Sequence, residues 1–267
     1  MEFLLYDIIE MREYLVPLDI GHKLVRLGPK LLKSEDGTLI QCGDGGYVLS
    51  QECIKKTNVV YSLGIGYTSE IERELADMGK SIYMYDMVTP EKHILTHENF
   101  YFKEMEMDAQ KLTDEIHLHK HSNDDNLLLS IDIEGAEYPL FEKIDDDILL
   151  NFSQICVELH EIVSHSSHLD VAVGGGQRVL EFLKKMNKNY YLVHIHANNV
   201  IYNRPDILHY LMVEGMPDFL ELTYVRKDLC KIEPTPITSQ CPIEGLDSPN
   251  VNHPDVVLDW WCKKDKP

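Results

Sequence analysis

From residue 58 onward, short apolar runs alternate with amphipathic stretches, and several of the runs end in an acid, a glycine or a histidine. Val59-Val-Tyr-Ser-Leu63 reads as a strand, Gly64-Ile-Gly66 as the turn after it, and Ser69 to Gly79 as a helix. Ser69 followed by Glu72 fits a capping box at that helix's start. Ser81-Ile-Tyr-Met-Tyr-Asp86 is a second strand and Asn99-Phe-Tyr-Phe-Lys-Glu-Met105 a third. A fourth begins at Asn126 and runs into Asp132-Ile-Glu134-Gly135-Ala-Glu137, with a helix predicted from about Ala136 to Leu150. Ser153 to His160, Tyr190 to His196 and Phe219 to Arg226 complete a set of seven, with a helical period between Gly176 and Lys188. Strands alternating with helices imply βαβ units, hence an α/β fold on a mainly parallel sheet.

Outside this repeat the pattern weakens. Residues 1 to about 20 predict an amphipathic helix ending near Pro17. The turn signals Glu35-Asp36-Gly37 and Gly43-Asp44-Gly45-Gly46, around Thr38-Leu-Ile-Gln and before Tyr47-Val-Leu, predict a β-hairpin outside the main sheet. Residues 231–267, rich in Pro, Asp and Asn and carrying Trp260-Trp261, predict an irregular tail docked by its tryptophans. The expected division is 1–56 as N-terminal extension, 57–230 as core and 231–267 as tail.

Charge narrows the partners. With 45 acidic against 25 basic residues, net −20 in 267 residues, the chain lacks the basic footprint of a nucleic-acid or membrane-surface binder. The N-terminus lacks the positive charge of a secretory signal, and no apolar run reaches the ~20 residues of a membrane span. Six cysteines, none in a C-x-x-C pair, read as reduced thiols in a cytoplasmic protein. One local reversal stands out: residues 22–33 hold four basic residues and no acid; an ordinary solvated face is the first reading, and Lys23 and Arg26 as contacts for an anionic group on a substrate the second.

The candidate chemistry sits at strand ends. Gly64 and Gly66 let backbone approach a ligand, with Thr68 and Ser69 opening the next helix. Ser69 stands where a dinucleotide fingerprint has its third glycine, which favours a cofactor without a pyrophosphate over a nicotinamide. Asp86 follows Gly64 at about the ~20-residue spacing of a ribose-binding acid, with Met87 beside it. Asp108 is either an acceptor for an adenine amino group or a helix cap. Asp132, Glu134 and Glu137 crowd one strand end; the helix dipole accounts for Glu137 but not for the others. Negative charge there suits a sulfonium ligand, and although close carboxylates are able to hold Mg²⁺, no metal is assigned. His160 and His196, at the ends of their strands, are candidate bases for deprotonating a hydroxyl, with Glu158, Asn198 and Asn199 around the acceptor. His194 is expected to face away from His196 and to pack.

These residues resemble a family. Asp132-Ile-Glu-Gly-Ala-Glu137 is similar to the signature of FkbM-type methyltransferases and related methyltransferase-like proteins. Arg26-Leu-Gly, Asp44-Gly-Gly-Tyr-Val-Leu49, Val60-Tyr-Ser-Leu-Gly-Ile-Gly66, Val157-Glu-Leu-His160, His194-Ile-His-Ala-Asn-Asn199 and Glu221-Leu-Thr-Tyr-Val-Arg226 extend it over most of residues 24–228. The resemblance implies a class I methyltransferase fold: a Rossmann-like three-layer sandwich on a seven-stranded sheet whose last strand is antiparallel. It implies S-adenosylmethionine as donor, S-adenosylhomocysteine as product, and Gly64, Gly66, Asp86, Asp108 and Asp132 as cofactor-site positions. The acceptor it implies is a hydroxyl of a small polar molecule, such as a sugar, a glycan precursor or a phosphorylated metabolite. Transfer to nitrogen or a phosphoryl oxygen, a nicotinamide-dependent oxidoreductase, and a fold relic are the alternatives. A homodimer is compatible with all of them.

Overall fold

The computed structural model describes residues 9–162, 175–200, 216–239 and 241–260. Seven strands form the central sheet: β6 (Val59–Leu63), β7 (Ser81–Asp86), β8 (Phe100–Glu104), β9 (Leu127–Ile131), β10 (Phe152–Leu159), β11 (Tyr190–Ala197) and β12 (Leu220–Arg226). Their order is β11-β12-β10-β9-β6-β7-β8, with β12 antiparallel to both neighbours and the others parallel where they pair. The sequence-based expectation of a mainly parallel sheet closed by an antiparallel strand therefore holds. The chain starts the sheet at β6, moves outward to β8, then crosses to β9 on the other side. That reversal makes the carboxyl ends of β6 and β9 a topological switch point, the place at which open α/β sheets have the crevice that takes ligands.

Both faces of the sheet are buried, which makes the architecture three-layered. Tyr61, Leu63, Leu127, Leu129 and Ile155 point to the layer of α4 (Ala109–Leu118), α5 (Glu137–Lys143) and α7 (Gly175–Asn189). Val60, Ile82, Met84 and Leu128, offset by one residue, point instead to α3 (Glu70–Asp77) and to the N-terminal strands. Alternate residues of a strand face opposite sides, so a buried two-sided strand reads as an unbroken apolar run. Over β10 and β12 the second layer is β5 (Tyr47–Ser50) rather than a helix.

Several local expectations are corrected. β5 pairs antiparallel with β2 (Leu24–Leu27), inside the basic stretch, while β4 (Leu39–Gln41) pairs with β3 (Leu32–Lys33) across the Ser34–Thr38 turn. The two turn signals thus belong to different ribbons. The helix predicted to Leu150 breaks after Lys143: Ile144 and Asp145 are extended, and a short α6 (Asp146–Leu149) restarts. The capping box does not form. Ser69 Oγ donates to Ile94 O at 2.6 Å, and Glu72 is buried, accepting from Ser62 Oγ at 2.6 Å. At the start, residues 9–14 are helical (α1), a short α2 (Gln51–Lys56) follows β5, and the first eight residues lie outside the described set.

The tail is irregular, as expected, but firmly held. β13 (Thr235–Pro236) pairs with β1 (Leu18–Asp19), and Cys241 bridges to Leu258. Val256 and Leu258 are buried, and Arg12 lies 5.3 Å over the ring of Trp260; Trp261 is outside the described residues. The described cysteines are free thiols. Among the described residues no helix is long and apolar enough to cross a membrane.

Candidate active site

Backbone geometry brings the glycine turn against the fourth strand end. Gly64 has φ +81°, and a Cβ there would lie 1.6 Å from the carbonyl oxygen of Asp132. Asp132 N–H donates to Leu63 O at 2.9 Å, so the ends of β6 and β9 are fastened together. Gly66, φ +58°, has nothing within 4 Å of the place a Cβ would take, so the turn presents bare backbone to open space. Asp86 explains the shape of the turn: its Oδ2 accepts from Ile65 N–H at 2.8 Å and Gly66 N–H at 3.2 Å, and its Oδ1 from Val88 N–H at 2.9 Å. Expected to receive ribose hydroxyls, Asp86 chiefly shapes the loop here, with three of about four acceptor positions of a carboxylate taken.

Around this turn the expected cofactor residues sort themselves. Tyr67, which follows Gly66, and Met87 and Val88, which follow Asp86, are exposed. Thr68 packs its methyl towards Gly45, and buried Ser69 is committed to Ile94. Asp108 is the helix cap of the two options: Oδ1 accepts from Lys111 N–H at 2.9 Å, and Oδ2 pairs with Lys111 Nζ at 3.3 Å. The bare turn at Gly66, with exposed apolar residues next to it in sequence and Asp132 fastened to the same turn through Gly64, fits an adenosyl group joined to a cationic centre.

The acidic strand end is built around His160. Glu134 (φ +55°) and Gly135 (φ +99°) turn the chain back so that Glu137, fully buried, reaches His160 Nδ1 at 3.0 Å. The same Glu137 oxygen accepts from Ile133 N–H at 3.0 Å. On the other side of the ring, His160 Nε2 stands 3.5 Å from Asp132 Oδ1 and 3.6 Å from Glu134 Oε2. Burial pushes the His160 imidazolium pKa down, but the Glu137 hydrogen bond and the charges of Glu158, Glu137 and Asp132 outweigh it and hold the pKa at about 10. His160 is therefore a cation at neutral pH, which reverses its expected part as a base. Asp132 is pushed the other way: burial, and then Glu134 and Glu137, raise its carboxyl to about 7 against the pull of His160. Asp132 is the group near neutrality, and its side chain is 36% exposed beside the glycine turn.

Tyr47, which the sequence reading did not single out as a site residue, links this end to the next strand. Its hydroxyl lies 3.2 Å from Glu158 Oε2 and 3.4 Å from Asp132 Oδ2. Glu158 is pushed well above the ordinary carboxylate range by burial, then by Asp132 and Glu221. Asn198 Nδ2 donates to Glu158 Oε1 at 2.8 Å and to Asp44 Oδ1 at 3.1 Å. Glu158 and Asn198, expected around the acceptor, are buried and have their polar atoms engaged by each other, Tyr47, Asp44 and the Val200 amide. Asp44-Gly-Gly-Tyr47 was the available signal, since it matched the family resemblance without a role attached.

His196 and Asn199 belong to the tail, not to the acceptor. His196, 1% exposed, has Nδ1 2.9 Å from Glu221 Oε2 and Nε2 3.0 Å from Asp255 Oδ1. Burial lowers its pKa, but Glu221 and Asp255 more than compensate and hold it at about 10, so no ring nitrogen is left for a proton. Asn199 Nδ2 donates to the carbonyls of Val251, His253 and Pro254. His194 pairs with Asp247 at 2.9 Å. Residues two apart on a strand share a face, so both histidines meet tail carboxylates, against the expectation that His194 points away. Asn250 completes the clasp, donating to Glu221 Oε1 at 2.6 Å and Asp44 Oδ1 at 3.1 Å.

The basic stretch does not reach the crevice as a unit. Arg26 is buried and donates to the carbonyls of Pro29 and Gly43, holding the loop that carries Asp44. Lys23 is exposed at the other end of β2, where its amide donates to Glu52 at 2.9 Å.

No curated protein matches the chain. Among solved structures, a putative S-adenosylmethionine-dependent methyltransferase of Listeria monocytogenes is similar at 10% identity, covering 65% of this chain and 95% of that one, TM-score 0.36. An S-adenosylmethionine-dependent methyltransferase of Mesorhizobium loti is 12% identical over 66% of this chain and 96% of that one, TM-score 0.33. A 1,6-didemethyltoxoflavin-N1-methyltransferase of Burkholderia thailandensis, with bound 1,6-didemethyltoxoflavin and S-adenosylhomocysteine, is 11% identical over 66% and 77%, TM-score 0.32. These likenesses are too distant to assign residues. The family model described as the methyltransferase FkbM domain matches residues 32–190, more than half of the chain, and takes in the glycine turn, Asp86 and the Asp132–Glu137 element. The chain belongs to the FkbM family of S-adenosylmethionine-dependent methyltransferases.

Proposed function

We propose that this enzyme methylates a hydroxyl oxygen of a small polar acceptor of the sugar or glycan-precursor kind, and that Asp132 takes the hydroxyl proton. The observation that carries this is the Asp132 carboxyl, raised to about 7 by burial and partly exposed on a strand end whose backbone lies against Gly64 of the glycine turn. A general base works best with a pKa near the operating pH, and a carboxylate there accepts the proton as the oxygen becomes a nucleophile.

S-adenosylmethionine supplies the electrophilic methyl group when bound. Gly64 and Gly66 provide the backbone it rests on, Asp86 holds that backbone in shape, and Met87, Val88 and Tyr67 offer apolar surface to its base. His160, as a buried cation, positions Asp132 and Glu134 rather than acting as a base. Glu134 is exposed next to Asp132 and is a candidate partner for an acceptor hydroxyl.

The acidic rim speaks for a neutral or cationic acceptor. An anion would meet Asp132 and Glu134, and Arg26, the candidate contact for an anionic acceptor, is buried in its own loop. The oxidoreductase alternative is set aside by the family. The test is transfer from isotopically labelled donor to a panel of neutral sugars, amino sugars and sugar phosphates. Label in neutral or amino sugars supports the proposal; label confined to phosphorylated acceptors overturns the acceptor class.

A further inference from the structure

The His160 cluster carries two buried oxygens that no group among the described residues satisfies. Asp132 Oδ1 and Glu137 Oε2 have no hydrogen-bond donor, and Glu137 is fully buried. An orphaned buried acceptor costs about 1–3 kcal/mol, more when charged, and such atoms call for an ion or a water. The distances around His160 point to an ion. Asp132, Glu137 and His160 each offer a ligand atom, all within 4.8 Å of one another. His160 Nε2 is 3.5 Å from Asp132 and 3.6 Å from Glu134, too far for good hydrogen bonds. Atoms bonded to one metal ion at ~2.0–2.2 Å stand roughly 3–4 Å apart, which matches.

We propose that Asp132, Glu137 and His160 bind one divalent first-row metal ion, with Glu134 as an exposed fourth arm. The sequence reading made an ion at Asp132, Glu134 and Glu137 the minor option and assigned none; that His160 stands among these carboxylates is shown by the fold. An imidazole beside carboxylates suits Mn²⁺, Fe²⁺ or Zn²⁺ better than Mg²⁺ or Ca²⁺, which prefer all-oxygen sets. Glu137 Oε1 already holds the His160 ring and the Ile133 amide, leaving Oε2 for the ion. Glu134, 86% exposed, is free to swing in and leaves the remaining positions to solvent or acceptor. The site stands at the end of β9 next to the proposed methyl-transfer centre; a ligating imidazole has to be neutral, so the ion takes the place of the proton that His160 otherwise carries, and the base role of Asp132 is that of the chain without the ion.

The experiment is titration of Mn²⁺ into the full chain after chelator treatment and dialysis, following loss of the free-ion electron paramagnetic resonance signal. The expected result is one tight site per chain, displaced by Zn²⁺ and weakened at least tenfold in Asp132→Asn and several-fold in Glu134→Gln. An acidic chain also binds Mn²⁺ loosely elsewhere, so Asp145→Asn, beyond α5, serves as control and should leave the tight site unchanged. Absence of a tight site in the wild type, or unchanged affinity in both Asp132→Asn and Glu134→Gln with native far-ultraviolet circular dichroism, overturns the proposal. Calorimetry with S-adenosylhomocysteine on the metal-free chain keeps this outcome separate from that of the methyl-transfer reading.

Discussion

Gly64 and Asp132 touch through their backbones: a methyl group on Gly64 would fall 1.6 Å from the Asp132 carbonyl oxygen. The loop meant for the donor and the strand end meant for the base are therefore one rigid unit. Gly64→Ala has to break it, since the left-handed φ and the clash act together. We expect a loss of more than about 1–3 kcal/mol in denaturant unfolding and no measurable binding of S-adenosylhomocysteine. A variant with wild-type stability would show that the two loops are not in contact.

Asp132→Asn removes the base while keeping the shape. The turnover number should fall roughly 10²–10⁴-fold, with donor affinity changed only a few-fold. Wild-type activity should rise with pH through about 7 and then level, because Asp132 accepts a proton only once ionised. Loss of that limb in the variant is the signature to look for in the pH–rate profile.

The tail clasp gives a separate pH signature. His196 has its folded pKa raised to about 10, above the ordinary histidine value of 6.5. The folded state then holds the proton more tightly than the unfolded chain, so the stabilisation is full below about 6.5 and is lost as pH rises through about 10. His196→Gln should cost about 3–5 kcal/mol at pH 6, as expected when one partner of a buried ion pair is removed, and much less at pH 10.5. Urea unfolding at the two pH values measures the difference.

Arg26 and Lys23 should separate cleanly. Arg26→Ala strips donors from the buried carbonyls of Pro29 and Gly43 and should lower stability by about 1–3 kcal/mol. Lys23→Ala, at an exposed position away from the crevice, should leave both stability and acceptor KM unchanged. Thermal unfolding and steady-state kinetics together decide this. A raised KM for Lys23→Ala would restore the anionic-acceptor alternative.

Much of the fold was legible because each central strand, apolar on both faces, shows as a continuous run, as in Leu127–Ile131. The glycine turn, Asp86 and Asp132 were legible for the same reason: their strand ends mark a common rim. What the sequence hid were partners. The β2–β5 ribbon joins residues that turn signals assign to separate segments. His160 and His196 look alike as strand-end histidines, yet three carboxylates around one and two around the other turn both into cations, and those acids come from distant segments. Asp86 and Ser69 were placed correctly near the turn, but a sequence does not show that backbone amides and carbonyls had already claimed their oxygens.

The central claim is that the rim formed by Gly66, Asp86 and Asp132 holds the methyl donor, and calorimetric titration of S-adenosylhomocysteine addresses it most directly. The account predicts one molecule bound per chain, with affinity lowered at least tenfold by Gly66→Ala, which fills the open space above the turn. Absence of binding by the wild-type chain at millimolar ligand, or equal binding by the folded variant, would contradict it.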